Sequence, residues 1–400
     1  MKILFVAIAD MGLKGVFAKI TATIDALQNS GAQVHGLIVS SDKQSEVKHG
    51  SIDIIGFSKN KKTIFQEIES FINANYQECP LIYFRYPLAD KYLLEFVKKY
   101  GSRIVFEHNT IEENELQLYF KYYKLKDFLY NLRHFNFSDL LMNYRLLLNE
   151  RKYGSKVLHL TKAGIGVTAE ISEYENKRAG KMYCNQVIGN AVLSNLTPKI
   201  KNNIEKIENK LTCIFIAGHA NNWHGIDRAI CGIKNYKGKV KIRIIYVGTI
   251  LHTVKEMVKS LDLAGSIDFV GICDREQIEQ LILKSDIGIS TLALHRIPLV
   301  QGSVLKTREY LLHGLPILIG YEDQEVERDE LLSKYLVKVK ANDEAIDFEK
   351  VINALNEISL SGITPAQISR KSCEEFGIKA KAAELKRIFE KINNADDIKI

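Results

Sequence analysis

The stretch from Gln301 to Gly320, QGSVLKTREYLLHGLPILIG, concentrates residue types suited to holding a phosphorylated ligand. Gly302 and Ser303 precede a run with Leu305, Tyr310, Leu311 and Leu312 near helical spacing, Gly314 closes that run, and LPILIG reads as a buried strand. A helix starting here presents backbone N–H groups that no intrahelical carbonyl accepts, and Ser303, Lys306 and Arg308 place a hydroxyl and two cations at the same end. That combination attracts phosphate. Glu309, one turn later, can accept from a pair of sugar hydroxyls, so one segment could grip a nucleotide sugar at two points.

The string resembles the nucleotide-sugar segment of glycosyltransferase family 4, retaining enzymes of the two-Rossmann-domain GT-B type, in which a Glu-x7-Glu element runs into a helix followed by Gly-x-Pro. Glu309 matches the second glutamate, Lys306 the lysine three places before it, and Gly314-Leu315-Pro316 the turn. Gln301 stands where the first glutamate is usual, keeping a hydrogen-bonding group without the charge. The resemblance implies an α/β chain of the GT-B class, with two Rossmann-like doubly wound domains facing a cleft and a C-terminal helix crossing back to the first domain. It also implies a retaining hexosyltransferase that moves sugar from a nucleoside diphosphate sugar to a hydroxyl.

The elements that would position these residues fall into two α/β series. In the first, Ile3 to Ala9 is a continuous apolar run, followed by a turn with Gly12 and Gly15 and an amphipathic helix holding Phe17, Ile20, Ile24 and Leu27. LIYFRYP (81–87) and RIVFEHN (103–109) are apolar strands that end in polar residues, and in a doubly wound sheet such ends border the ligand. Arg85, Glu107, His108 and Asn109 are therefore expected at the ligand edge. Packing glycines and an Arg85–Glu107 ion pair are the plainer readings of the same residues. By resemblance, His108 would touch the donor sugar, with Gly12, Gly15, Arg85, Glu107 and Asn109 on the acceptor side.

The second series opens at Leu211 to Ala217 and continues through 243–248, 267–271, 287–290 and 315–320. The turn GHANNWHGID after its first strand takes the place of the family's diphosphate loop, with His219 and His224 where an arginine and a lysine are usual, between Gly218 and Gly225. Imidazoles carry less dependable charge near neutral pH, so Lys306 and Arg296 are expected to meet the diphosphate, together with the N–H groups after Gly302. The expected donor-binding set is Gly218, His219, His224, Gly225, Arg296, Gln301, Gly302, Ser303, Lys306 and Glu309, with His108, Lys306 and Glu309 nearest the chemistry. The expected division is an acceptor domain at 1–190, a linker at 191–210, a nucleotide-sugar domain at 211–365, and returning helices at 366–400.

Between 116 and 156 the composition shifts to ten aromatics among eight Lys or Arg and three acids. A basic amphipathic insert on a membrane surface is one reading, and a helical layer packed on its own domain is the other. Gly164-Ile165-Gly166-Val167-Thr168-Ala169 fits a dinucleotide fingerprint but lacks the opening βαβ context and the acidic residue that would make it a cofactor site. Six scattered cysteines without a C-x-x-C pair read as reduced thiols, and no apolar run is long enough to span a bilayer. A cytoplasmic protein, peripheral at the inner face of the membrane, is expected.

The sequence has no Walker motif, nucleophile elbow, H-E-x-x-H or Asp-x-Asp. A metal clamp on the diphosphate therefore has no evident ligands, and neither metal nor cofactor is expected beyond the nucleotide sugar as donor substrate. The expected partners are a nucleotide sugar and a glycan or lipid-linked acceptor from bacterial surface polysaccharide or glycolipid synthesis, with a membrane surface and without nucleic acid. A nucleotide-sugar epimerase on the same fold, or a non-catalytic GT-B subunit, are the alternatives.

Overall fold

The computed structural model describes residues 1–8, 14–40, 47–49, 52–56, 61–78, 80–121, 137–192, 198–218 and 220–394. The chain divides into two units, Met1–Ile188 with Ala382–Ile400, and Gly189–Lys381. The expected linker, 191–210, belongs to the second unit, and described residues in it are bonded along that unit. Val192 donates to the Phe376 carbonyl at 2.7 Å, Lys201 to that of His313 at 3.0 Å, and Ile207 to Asn356 Oδ1 at 2.7 Å. The expected returning segment also divides. The helix Pro365–Phe376 lies within the second unit, and the last helix, Ile378–Asn394, joins the first from Ala382 onward.

In the first unit, β1 (Lys2–Ile8), β2 (Gln33–Ser40), β3 (Val47–His49), β4 (Ile52–Gly56), β5 (Leu81–Arg85), β6 (Ile104–His108), β7 (Ala163–Gly166) and β8 (Gln186–Val187) form one sheet in the order β3-β4-β2-β1-β5-β6-β7-β8. All pairs are parallel except β3–β4. A parallel strand covered on both faces must be apolar throughout, and Ile3, Leu4, Val6, Ile82, Phe84, Ile104 and Phe106 are completely enclosed. The chain runs outward from β1 in both directions, so the β1/β5 boundary is a switch point where strand ends leave a crevice.

The second unit repeats the plan with β9 (Lys210–Ala217), β10 (Lys241–Gly248), β11 (Ile267–Gly271), β12 (Ile287–Ile289), β13 (Ile317–Ile319) and β14 (Leu336–Lys338). They lie in the order β11-β10-β9-β12-β13-β14, all parallel. Its switch point lies between β9 and β12. The two loops that leave this point, after Ala217 and after Ile289, contain or lead to every donor-side residue expected from sequence. The glycines of the apparent dinucleotide fingerprint have packing roles, since a Cβ at Gly164 would stand 2.4 Å from the Tyr183 ring and one at Gly166 2.3 Å from Ser172 Oγ.

Candidate functional site

The helix expected after Ser303 forms as Leu305–Leu312, and its N-cap is Val304, whose side chain accepts no hydrogen bond. Its leading N–H groups thus have no side-chain acceptor from the cap position. Lys306 stands in this first turn. Its Nζ is closed off from solvent, makes no hydrogen bond, and lies 4.6 Å from the centroid of the Phe215 ring on β9. Burial pushes the ammonium down to about 7. Phe215 also faces His224, with ring centroids 6.0 Å apart, so one aromatic ring joins the helix start to the loop after β9.

That loop is shaped by its neighbours. Thr249, just past β10, accepts from the Ala220 N–H at 2.9 Å and donates to the Gly218 carbonyl at 3.3 Å. His224 is buried, and its Nδ1 accepts from the Asn221 N–H at 3.3 Å, which fixes that nitrogen as an acceptor. Gly225 has φ of +71°, and a Cβ there would stand 2.8 Å from both the Ala293 nitrogen and its Cβ, so only glycine fits. His219 lies outside the described residues, as does Gly12; Gly15 falls within the first helix, Lys14–Asn29.

Two cations expected at the phosphate are engaged elsewhere. Arg296 makes a fork onto Asp227 at 2.9 and 2.7 Å, and also donates to Asp343 at 2.8 Å and to the Asn222 carbonyl at 2.6 Å. It braces the loop after β9 and has its donors occupied, so the expected diphosphate contact is replaced by a structural one. Arg308 lies two residues after Lys306, about 200° around the helix, and therefore points the other way. It is completely buried, pairs with Asp323 and Glu325, and stacks over Phe376 with its carbon 4.3 Å from the ring centroid. Ser303 belongs to the same internal network: its Oγ accepts from the Asn190 N–H at 2.8 Å and from Arg308 at 3.1 Å, and its carbonyl accepts from the Asn190 side chain.

Glu309 stays part-exposed and lies 3.4 Å from His313 Nε2, while His313 Nδ1 lies 2.7 Å from the Lys199 carbonyl. Burial would lower this imidazole, but the Glu309 hydrogen bond and the Lys199 carbonyl outweigh it and raise it above its ordinary value. Gln301 forms a β-bridge with Glu322, and the Gly302 N–H donates to the Glu322 carbonyl at 2.9 Å, which fixes the approach to the helix. Lys306 and Glu309 are thus the charged side chains of this segment that stand outside the Arg308 network, one against the Phe215 ring and the other beside His313.

In the first unit, Arg85 and Glu107 are register partners across β5 and β6. Lys19, from the first helix, donates to Glu107 at 3.2 Å and to Asn109 Oδ1 at 3.4 Å. Burial would raise the Glu107 carboxyl, yet Lys19 and Arg85 outweigh it and hold it below its usual range. Nothing in the sequence pattern marked Lys19, because its position in the helix is set by the sheet beneath it.

His108, expected beside the donor sugar, is instead fully enclosed. Its Nε2 lies 3.2 Å from the Tyr183 hydroxyl, its ring packs 4.9 Å from that of Tyr86, and burial, reinforced by the charge of Arg178, keeps it well below the ordinary imidazole value. Around it are Glu112, Glu150, Glu175 and Arg178, none of them marked by sequence spacing. The expected basic-aromatic insert falls partly at 122–136, outside the described residues; its described part contributes Glu150, which accepts from Tyr86, Ala89 and Arg178.

Whole-chain comparison connects this arrangement to known architectures. No family model matches the sequence, and no curated protein matches it. Among solved structures, the sucrose-phosphate synthase of Thermosynechococcus elongatus superposes with a TM-score of 0.63 at 12% identity, over 99% of this chain and 100% of that one. HepE of Anabaena, crystallised with UDP, gives 0.63 at 16% identity over 98% and 100%. A Rickettsia africae glycosyltransferase gives 0.63 at 15% over 98% of each chain. The chain has the GT-B fold.

Within a GT-B chain, the segment from Gln301 to Gly320 lies at the switch point of the second Rossmann-like unit, where Lys306 and Glu309 sit on one short helix. The turn after that helix is held by Gly314, whose φ is +70° and whose Cβ would stand 2.5 Å from Pro365 Cβ and 2.6 Å from the Pro365 carbonyl oxygen. Of the described residues, five cysteines are free. No described helix is long and apolar enough to cross a membrane.

Proposed function

We propose that this protein transfers a sugar from a nucleoside diphosphate sugar to a hydroxyl acceptor, with retention at the anomeric carbon. The observation that carries the reading is Lys306: a closed-off ammonium without a hydrogen-bond partner, at the start of a helix whose cap supplies no side-chain acceptor. A buried cation without a counter-ion is costly, and a diphosphate placed there would supply both charge and acceptors. As the leaving group departs, Lys306 and the helix N–H groups would stabilise the developing charge without moving, which is electrostatic preorganisation. Glu309, which stands 3.4 Å from His313 Nε2, would accept from the ribose hydroxyls.

The donor set is narrower than the sequence implied. Arg296, Arg308 and Ser303 support the site from behind, and the sugar-contact role expected of His108 is not retained, because its ring is enclosed. The acceptor side would involve Arg85, Glu107 and Asn109, with Lys19 added. A glycan or lipid-linked acceptor and peripheral attachment to a membrane belong to the same proposal; they lean on the basic aromatic composition of 116–156.

The test is a thermal-shift panel with UDP, GDP, ADP and CDP, since a ligand that binds only the native state raises the melting temperature. UDP comes first, because HepE was crystallised with UDP and UDP-glucose. A rise with one nucleotide, abolished in Lys306→Met, supports the reading. No rise with any of the four would remove it. Donor consumption that requires an acceptor separates transfer from epimerisation, and the anomeric signal of the product reports retention.

A further inference from the structure

Beneath the carboxyl end of β6, the first unit encloses more negative charge than it balances. Glu112, Glu150 and Glu175 face a single guanidinium, Arg178. Glu150 is fully provided for: Arg178 donates to it at 2.6 Å, Tyr86 at 2.7 Å and the Ala89 N–H at 2.5 Å. The other two carboxylates are not. Both oxygens of Glu175 and one of Glu112 are buried without a hydrogen bond, and so is Nδ1 of His108. Native interiors leave few such atoms, and four around one point call for an occupant.

We propose that His108, Glu112 and Glu175 form a binding site for one divalent transition-metal ion, with zinc the ion best matched to one imidazole and two carboxylates. One donor atom from each residue lies within 4.8 Å of the others, and His108 Nδ1 is 4.0 Å from Glu175 Oε1. Donors bound tetrahedrally at about 2.1 Å lie about 3.4 Å apart, so the widest pair of the set must close by up to roughly 1.4 Å, through side-chain rotation, to bind an ion. The supporting contacts are those a bound ion needs. Tyr183 holds the opposite ring nitrogen of His108 at 3.2 Å, leaving Nδ1 directed at the carboxylates, and Arg178 Nε stands 3.3 Å from the second oxygen of Glu175.

Charge bookkeeping favours the same occupant. Three carboxylates and one guanidinium leave two negative charges, which one divalent ion neutralises. The competing solution is two protons, one on Glu112 and one on Glu175. Magnesium and calcium suit the site poorly, because an imidazole nitrogen replaces one of the oxygens they require.

The experiment uses the full chain, stripped with EDTA and offered Zn2+, Mn2+ or Mg2+ separately, with bound metal measured by elemental analysis after gel filtration. The expected result is about one zinc per chain, a higher melting temperature with zinc than with magnesium, and uptake weakened at least about a hundredfold in Glu175→Gln and His108→Gln. Uptake in His252→Ala, which alters an exposed histidine, should be unchanged. Zinc bound equally well by Glu175→Gln and His108→Gln, or no uptake by the stripped wild type, overturns the proposal in favour of two protons. If those variants do not fold, X-ray absorption on the zinc-loaded wild type decides. A first shell of nitrogen and oxygen is expected; sulfur in the shell would place the ion on a cysteine and end the proposal.

Discussion

Lys306 Nζ stands 4.6 Å from the centroid of Phe215, enclosed and without a hydrogen bond, so the ring face is its one described partner. A cation over an aromatic face recovers only part of what burial costs it. With its ammonium lowered to about 7, Lys306 is charged below that pH and largely neutral above it. A bound diphosphate favours the charged form, so binding takes up a proton above about pH 7, and affinity falls as pH rises from there. Calorimetry in buffers of different ionisation enthalpy measures this proton directly; uptake that does not vary between about pH 7 and 9 would exclude Lys306 as the group.

The same residue sets a trade between stability and binding. Because the folded value lies below the unfolded one, near 10.5, the unfolded chain binds the extra proton between them, and Lys306 destabilises the fold most below about pH 7. Lys306→Met should therefore raise unfolding free energy by about 1–3 kcal/mol at pH 6, discounted for the part-exposed side chain, with the gain vanishing toward about pH 10.5. Nucleoside diphosphate affinity should fall about 10- to 100-fold in the same variant. Denaturant melts and calorimetry check the two halves separately.

Glu309 and His313 form a second titrating pair. The raised imidazole contributes stability that is complete below its ordinary value and lost as pH rises through its folded value. Glu309→Gln should therefore cost more stability at about pH 6 than at about pH 8.5, and should lower the His313 titration followed by NMR. If Glu309 also holds the ribose, nucleoside diphosphate binding should weaken about tenfold, or about 1.4 kcal/mol, while binding of inorganic diphosphate is unchanged.

Arg308 predicts a purely structural loss. Replacing it with methionine leaves Asp323 and Glu325 buried without their guanidinium and removes a donor to Ser303. The expected cost is about 3–5 kcal/mol, read as a shift in denaturation midpoint at constant slope. Double substitution of Arg308 and Asp323 by apolar residues should cost less than the two single changes added together.

Gly314→Ala tests the turn that ends the helix Leu305–Leu312. A left-handed φ of +70° and a carbonyl oxygen 2.6 Å from the new Cβ act together, so a loss of about 3 kcal/mol is expected. Gly180→Ala is the control: its φ is +65°, but nothing lies within 4 Å of the added Cβ. A loss of about 1 kcal/mol is expected there.

The sequence by itself determined the two α/β series, most strand positions, the helix after Ser303 and the Gly314 turn. These follow from hydrophobic periodicity and from glycine and proline chemistry, which act over a few residues. It also named Lys306 and Glu309, among ten expected donor-binding residues, through the resemblance of the segment that holds them. What tertiary structure decided was which charges remain available. Arg296 meets Asp227 from 69 residues away, and Glu150 meets Arg178 from 28. His108 is enclosed by Tyr86 and Tyr183, which lie on other elements. A cation two positions from Lys306 looks equivalent in a string of letters, yet rotation around the helix puts one against Phe215 and the other between buried carboxylates. Pairing of buried charge depends on distances that only the packed sheets and helices set, and burial then fixes which of those charges can persist.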